Sequence, residues 1–255
     1  MAWTVTDDGL EIYYEDTGEG DVLVFQSGYM GIHDIWKYQI GELSRSFRCI
    51  THDNRGYGLS SKPAESSFFT MERNVEDTKQ VLEAVGINEP CVFVTHSLGG
   101  MMSVAFAKMY PEMVKAIIMM NGSVFSPSPD RGANEDMWAT SQQTPSESMM
   151  FYNRLGLKEE IAIEAGKWQK TVFRNQTRAF LNYIVTAETV KDMEFPVLVV
   201  YGKADPILIS EEIPRSVARA FPNGDSIGIE GLKHFPQTQE PGTINRLISE
   251  FCGKL

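Results

Sequence analysis

The chain has 255 residues, 42% hydrophobic and 22% charged, which suffices to bury a core and excludes disorder as its main state; at roughly 100–200 residues per domain it holds one large domain or two small ones. Lys and Arg total 23 against 34 Asp and Glu, and the formal net charge of −11 repels a phosphate backbone, which argues against nucleic acid and for a small, uncharged or weakly charged partner molecule. No run approaches the ~20 apolar residues of a membrane-spanning helix, and Met1 to Gly9 lacks the basic start and apolar stretch of a signal peptide, so no membrane partner and a cytoplasmic location are expected.

The opening stretch Trp3 to Glu15 alternates polar and apolar residues around Asp8-Gly9, the pattern of a β-hairpin. Solid apolar runs follow at Val22 to Phe25, Arg48 to His52, Cys91 to Thr95, Ala116 to Met120, Val197 to Tyr201 and Ser226 to Ile229. Runs apolar on both faces belong to strands inside a parallel sheet whose two sides are covered by helices. The clearest helix is expected over Met71 to Val85, with Thr70 as its cap, Val75, Thr78, Leu82 and Val85 on one face, and Gly86 ending it. Others are expected over Leu98 to Met109, over Glu211 to Ala220 behind Ser210, and from Pro241 onward, burying Ile244, Leu247, Ile248 and Phe251. Alternating β and α units predict an α/β fold. Cys49, Cys91 and Cys252 are odd in number and widely spaced, and two lie in apolar runs, so buried thiols are expected and no disulfide framework or zinc site.

One region breaks the alternation. Residues 124–192 contain no strand-like run; a Pro/Ser-rich entry at Ser126 to Pro129 leads to helical segments around Ser146 to Leu155, Lys158 to Lys170 and Thr177 to Val190. An insertion with its own helices between two strands has the pattern of a cap over a cleft, dividing the chain into core residues 1–123, a cap or lid 124–192, and core residues 193–255.

Ligands of open parallel sheets bind beyond the carboxyl ends of the strands. After Cys91 to Thr95 comes His96-Ser97-Leu98-Gly99-Gly100 and then a helix, so Ser97 sits on a strand-to-helix turn with the Leu98 amide at the helix amino terminus. A serine becomes a nucleophile when a histidine takes its proton and an acid steadies that histidine. Of four histidines, His96 reads as a turn or packing residue, His52 as structural, and His33, in the loop after the first buried strand, as a pocket residue. His234 lies between the last strand and the last helix, where a general base can reach the sheet edge. Asp205, in Gly202-Lys203-Ala204-Asp205-Pro206 beyond another strand end, is the best acid; Asn121 holds a rival position but carries no charge. Asp53-Asn54-Arg55-Gly56-Tyr57-Gly58 reads as a glycine-rich turn held by an internal Asp–Arg pair.

Ser97, Asp205 and His234, in that order after successive late strands, resemble the α/β-hydrolase family over nearly the whole chain. The Asp53-x-Arg-Gly-Tyr-Gly-x-Ser60 turn, the Ser97-Leu98-Gly99-Gly100 elbow, the Gly202-x-x-Asp205 acid loop and the stretch from His234 to Glu240-Pro241 are each similar to a family motif. The resemblance implies a mostly parallel eight-stranded sheet flanked by helices, residues 124–192 as a helical lid, and no cofactor. It departs from the family at Thr95, where glycine is usual two positions before the serine, and at Ser27-Gly28-Tyr29, where His-Gly is usual. Gly28 still allows the turn, and the amide of Tyr29 is expected to pair with that of Leu98 as an oxyanion hole. The Arg-Gly-Tyr-Gly turn is also similar to that of epoxide hydrolases and haloalkane dehalogenases, which use an aspartate nucleophile where this chain has serine.

The expected reaction is acyl transfer to water on a medium-sized, mostly apolar ester or lactone. Met101, Met102, Met149, Met150, Trp138, Phe151, Trp168 and Phe173 are candidates for an adaptable apolar pocket, although methionines at helical spacing also serve as core. The same triad suits carbon–carbon cleavage of β-diketones, and the same fold suits a ligand receptor. No phosphate loop, dinucleotide fingerprint or metal-ligand cluster is visible, so no metal is expected, and oligomeric state is not legible.

Overall fold

Each apolar run of the sequence forms a strand, and the computed structural model describes residues 2–29, 31–122, 124–125, 144–167 and 169–255. The alternating start forms β1 (Ala2–Val5) and β2 (Glu11–Thr17), paired antiparallel across a turn in which Gly9 takes φ +82°. Then come β3 (Val22–Gln26), α1 (Lys37–Leu43), β4 (Arg48–His52), α2 (Met71–Ala84), β5 (Cys91–His96), α3 (Gly99–Met109) and β6 (Val114–Met120). The segment between β6 and the next strand carries α4 (Pro145–Arg154), α5 (Glu159–Ala165), α6 (Lys170–Asn182) and α7 (Ala187–Val190), with no strand among its described residues. The chain ends with β7 (Val197–Gly202), α8 (Glu212–Ala220), β8 (Gly224–Ile229), α9 (Pro236–Gln239) and α10 (Pro241–Cys252).

The eight strands form one sheet in the order β1-β2-β4-β3-β5-β6-β7-β8, antiparallel at the β1–β2 and β2–β4 pairs and parallel elsewhere. Because successive side chains point to opposite faces, each central strand feeds two cores. Val22, Val24, Phe93, Ile117 and Val199 pack with α2, α3 and α8, whereas Leu23, Phe25, Val92, Ile118 and Val200 pack with α10 and the insertion. The register pairs Gln26 of β3 with Thr95 of β5, which sets the loop after β3 beside the β5–α3 turn.

Local signals hold where a side chain caps its own element. Thr70 Oγ1 accepts the Arg73 amide at 3.1 Å and Gly86 closes α2 at φ +72°. Ser210 Oγ accepts the Glu212 amide at 3.2 Å at the start of α8. The helix α1 is not legible in the sequence: it has no side-chain cap, includes Gly41, and is held by Gln39 Nε2 donating to Gln237 O and Asn245 Oδ1 at 3.0 and 3.1 Å. In the insertion the helix expected over Thr177 to Val190 is instead α6 and α7, parted at Tyr183–Thr186, where Thr186 opens a new capping box. Among the described residues no helix is long and apolar enough to cross a membrane, and all three cysteines are free thiols, two of them buried.

The expected Asp53–Arg55 pair does not form. Arg55, with no exposed side-chain surface, makes two bonds to the Asp77 carboxylate of α2 at 2.7 and 2.6 Å and one to Asp8 of the hairpin turn at 2.9 Å. Asp53 instead accepts the His33 amide and Nδ1 at 2.7 and 2.8 Å and the Leu59 amide at 2.7 Å. Removing one partner of a buried ion pair strands the other charge, so Arg55→Leu is expected to lower the unfolding free energy by about 3–5 kcal/mol in urea denaturation. A loss below about 1 kcal/mol, the scale of an exposed pair, contradicts this reading.

Candidate active site

The turn from β5 into α3 presents Ser97 in a conformation that L residues rarely take, φ +54°. Such strain persists only where the surroundings impose it. Here the Ser97 amide donates to Met120 O at 3.0 Å and its carbonyl accepts the Gly100 amide at 3.0 Å. Thr95, in place of the usual glycine, is fully buried and its hydroxyl donates to Ile118 O at 3.3 Å, so the branched side chain is absorbed by β6. Gly28 is required by close approach: a Cβ there would meet His96 O at 2.9 Å and Leu98 N at 3.0 Å.

Ser97, Asp205 and His234 meet at the carboxyl edge of the sheet. His234 Nδ1 lies 2.8 Å from Asp205 Oδ2, and His234 Nε2 lies 3.1 Å from Ser97 Oγ. A carboxylate only accepts, so the Nδ1 proton faces Asp205 and Nε2 is free to accept from the serine hydroxyl. Asp205 also accepts the Asn121 side-chain amide at 2.6 Å and the Ile207 amide at 2.9 Å. Burial alone would raise the Asp205 pKa, but the donors from His234, Ile207 and Asn121 outweigh it and hold the carboxyl below its ordinary value. The group stays ionised at neutral pH.

Two positioning side chains escape the sequence reading. Asn121, the rival position for the acid, adopts φ +46°, accepts the Gly202 amide on Oδ1 at 3.1 Å and donates to Asp205 from Nδ2. His96 is more than packing: its Nε2 donates to the His234 carbonyl at 2.8 Å, and its ring lies 4.9 Å from that of His234 and 4.5 Å from that of Phe235. Burial, with His234 second, pushes the His96 pKa down to about 3, which keeps it a neutral donor. The insertion reaches the same loop, since the His234 amide donates to Leu155 O at the end of α4 at 2.9 Å.

The amides of Tyr29 and Leu98 donate to no acceptor among the described residues. The Tyr29 ring is covered by Phe173 at 5.0 Å and Phe180 at 5.2 Å, both on α6. Burial raises the Tyr29, Tyr57 and Tyr152 phenols well above their ordinary range, so all three remain protonated. The pocket candidates separate. Phe173 packs on the Tyr29 loop, Phe151 lies 5.6 Å from Tyr152, and Met149 is half-buried beside α5. Met101 and Met102 are core residues, and Met150 is half exposed. His33 faces the hairpin rather than Ser97, with its ring 4.8 Å from Tyr13; burial alone would lower its pKa, but Asp53, Asp34 and Glu15 raise it. Trp138 and Trp168 lie outside the described residues. No group of three or more His, Cys, Asp or Glu able to hold a metal ion occurs among the described residues.

A hydroxyl donating to an imidazole whose other nitrogen is anchored on a buried carboxylate can act as a nucleophile toward a carbonyl carbon. Comparison with known proteins places the chain among hydrolases. The model of the alpha/beta hydrolase fold family matches residues 21–152, just over half of the chain. Epoxide hydrolase 1 of Caenorhabditis elegans is 27% identical over 96% of this chain and 68% of its own length. A bifunctional esterase/perhydrolase of Acinetobacter calcoaceticus is 26% identical over 98% of this chain and 99% of its own length. In fold, the chain superposes on a thermophilic esterase from Thermogutta terrifontis with a TM-score of 0.86 at 23% identity, over 99% of this chain and 96% of that one.

Proposed function

Because the chain belongs to the alpha/beta hydrolase fold family and is a hydrolase, we propose that it cleaves carboxylic esters and lactones through an acyl intermediate on Ser97. The observation that carries this reading is the unbroken line of hydrogen bonds from Asp205 through His234 to Ser97. His234 Nε2 takes the Ser97 proton as Oγ bonds to the carbonyl carbon, and the carbonyl π electrons pass to its oxygen. The amides of Tyr29 and Leu98 receive that oxyanion, each such donor being worth ~10²–10³ in rate. Collapse breaks the bond to the leaving oxygen, which takes the proton from His234. Water then repeats the cycle on the acyl-serine and releases the acid.

The nucleophile decides between the activities of the two relatives. Serine attack on an epoxide carbon forms an alkyl ether, which water does not cleave, whereas attack on an ester forms an acyl bond that it does. Residues 124–192 act in this reading as a lid on a core built from residues 1–123 and 193–255, with α4 bracing the His234 loop and α6 covering Tyr29. The aromatic side chains packed beside the triad, Phe173 on Tyr29 and Phe235 on His96 and His234, favour a mostly apolar acyl group.

The expected result with p-nitrophenyl acetate, butyrate and hexanoate is a burst of p-nitrophenol equal to the enzyme concentration, an acyl mass on the Ser97 peptide, and kcat/KM rising from acetate to hexanoate. A γ- or δ-lactone is expected to open. Diol formation from styrene oxide without ester turnover contradicts the proposal.

A further inference from the structure

We infer that Asn54 is a positioning residue that aims the Tyr29 amide at the oxyanion, an inference that rests on the serine hydrolase reading above. The loop after β3 lacks the histidine usual at position 27, and Gly28 must approach the elbow so closely that no Cβ fits. The same glycine leaves the Gly28–Tyr29 peptide free of the Cβ restriction that would limit its rotation. A half-turn of that peptide would replace the amide with a carbonyl oxygen, which repels an oxyanion. Something else must hold the plane.

Asn54, 1% exposed, does so from the turn after β4. Its Nδ2 donates to Ser27 O at 3.1 Å and to Gly28 O at 3.2 Å, and its own backbone amide donates to Gly31 O at 2.7 Å. Gly28 O also accepts the Gly31 amide at 3.0 Å. In a planar trans peptide the C=O and N–H point in opposite directions, and no cis bond occurs among the described residues. Two donors on Gly28 O therefore fix the direction of the Tyr29 N–H on the other side of the same plane.

The side chain cannot turn over without losing partners. The groups facing Nδ2, two carbonyls and at 4.0 Å the Met102 sulfur, are all acceptors, and Asn54 Oδ1 accepts Gln26 Nε2 at 2.9 Å. Gln26 is held in turn by Thr78 Oγ1, which donates to its Oε1 at 3.0 Å. The chain Thr78, Gln26, Asn54, Gly28 thus links α2 and β3 to one peptide plane.

The test compares wild type, Asn54→Ala, Thr78→Val and Ser97→Ala with p-nitrophenyl butyrate, active sites being counted by fluorophosphonate titration where Ser97 is present. Asn54→Ala is expected to lower kcat by roughly 10–100-fold with KM little changed, below the ~10²–10³ of a donor removed outright. Its affinity for a trifluoromethyl ketone, whose hemiketal oxyanion uses the same amide, is expected to fall by the same factor. Thr78→Val is expected to move both readouts the same way by a smaller factor, and it decides the matter if Asn54→Ala does not fold. Wild-type kcat and ketone affinity in both variants, or a change confined to KM, overturn the inference while an inactive Ser97→Ala leaves the function standing. Full turnover by Ser97→Ala overturns the reading on which the inference rests.

Discussion

Ser97→Ala is expected to lower kcat for ester hydrolysis by a factor on the order of 10⁵–10⁶, the loss seen when a triad serine is removed. Among the described residues the hydroxyl has one hydrogen-bond partner, His234 Nε2 at 3.1 Å, so its removal leaves the fold and the Tyr29 and Leu98 amides in place. The companion variant Ser97→Gly is expected to be equally inactive yet more stable by about 1 kcal/mol, because glycine meets no Cβ penalty in the left-handed region that Ser97 occupies at φ +54°. Activity lost together with stability gained marks strain held in place for function. Steady-state kinetics and thermal unfolding on the same preparations check both halves. A Ser97→Gly protein less stable than wild type contradicts the strain argument.

Asp205→Asn is expected to lower kcat by roughly 10³–10⁴-fold at neutral pH, with little change in KM. Among the described residues the carboxylate receives three donors, two on Oδ2 from His234 and Asn121 and one on Oδ1 from Ile207. An amide has one accepting atom, so its NH₂ must face a donor in either orientation. If the NH₂ takes the Oδ1 side it faces Ile207, and His234 keeps its tautomer but loses the charge that stabilises the imidazolium. If it takes the Oδ2 side it faces Asn121 and turns His234 toward the tautomer that cannot accept the serine proton. Either arrangement slows proton transfer and leaves substrate binding alone. A variant with wild-type kcat contradicts the assignment of Asp205 as the acid.

Much of this arrangement is legible in the chain because strong one-dimensional signals mark it. Val22–Gln26, Cys91–His96 and Val197–Gly202 are buried along their whole length, and the apolar runs announce them. Ser97 and Asp205 follow two of these runs and His234 follows the less buried β8, so reading beyond strand ends singles out three residues that the structure brings together. The supporting side chains carry no comparable mark. Asn54 and Gly28, Asn121 and Asp205, and Arg55 and Asp77 pair across 22 to 84 positions, and no periodicity encodes a polar contact between distant turns. His96 is set aside because its neighbour is the serine, yet that position carries its Nε2 to the backbone of the His234 loop. The break between α6 and α7 did leave a trace, the β-branched run Ile184-Val185-Thr186, which disfavours helix continuation and ends on a capping threonine. The helix α1 left none, since tertiary bonds to Gln39 hold a segment whose own propensity is weak.

Reaction with a fluorophosphonate probe, followed by mass spectrometry of the labelled peptide, decides whether the Ser97 hydroxyl is activated. One adduct is expected, on Ser97, absent from Ser97→Ala and abolished or greatly slowed in His234→Ala. Labelling at another residue, or labelling that His234→Ala leaves at the wild-type rate, would contradict it.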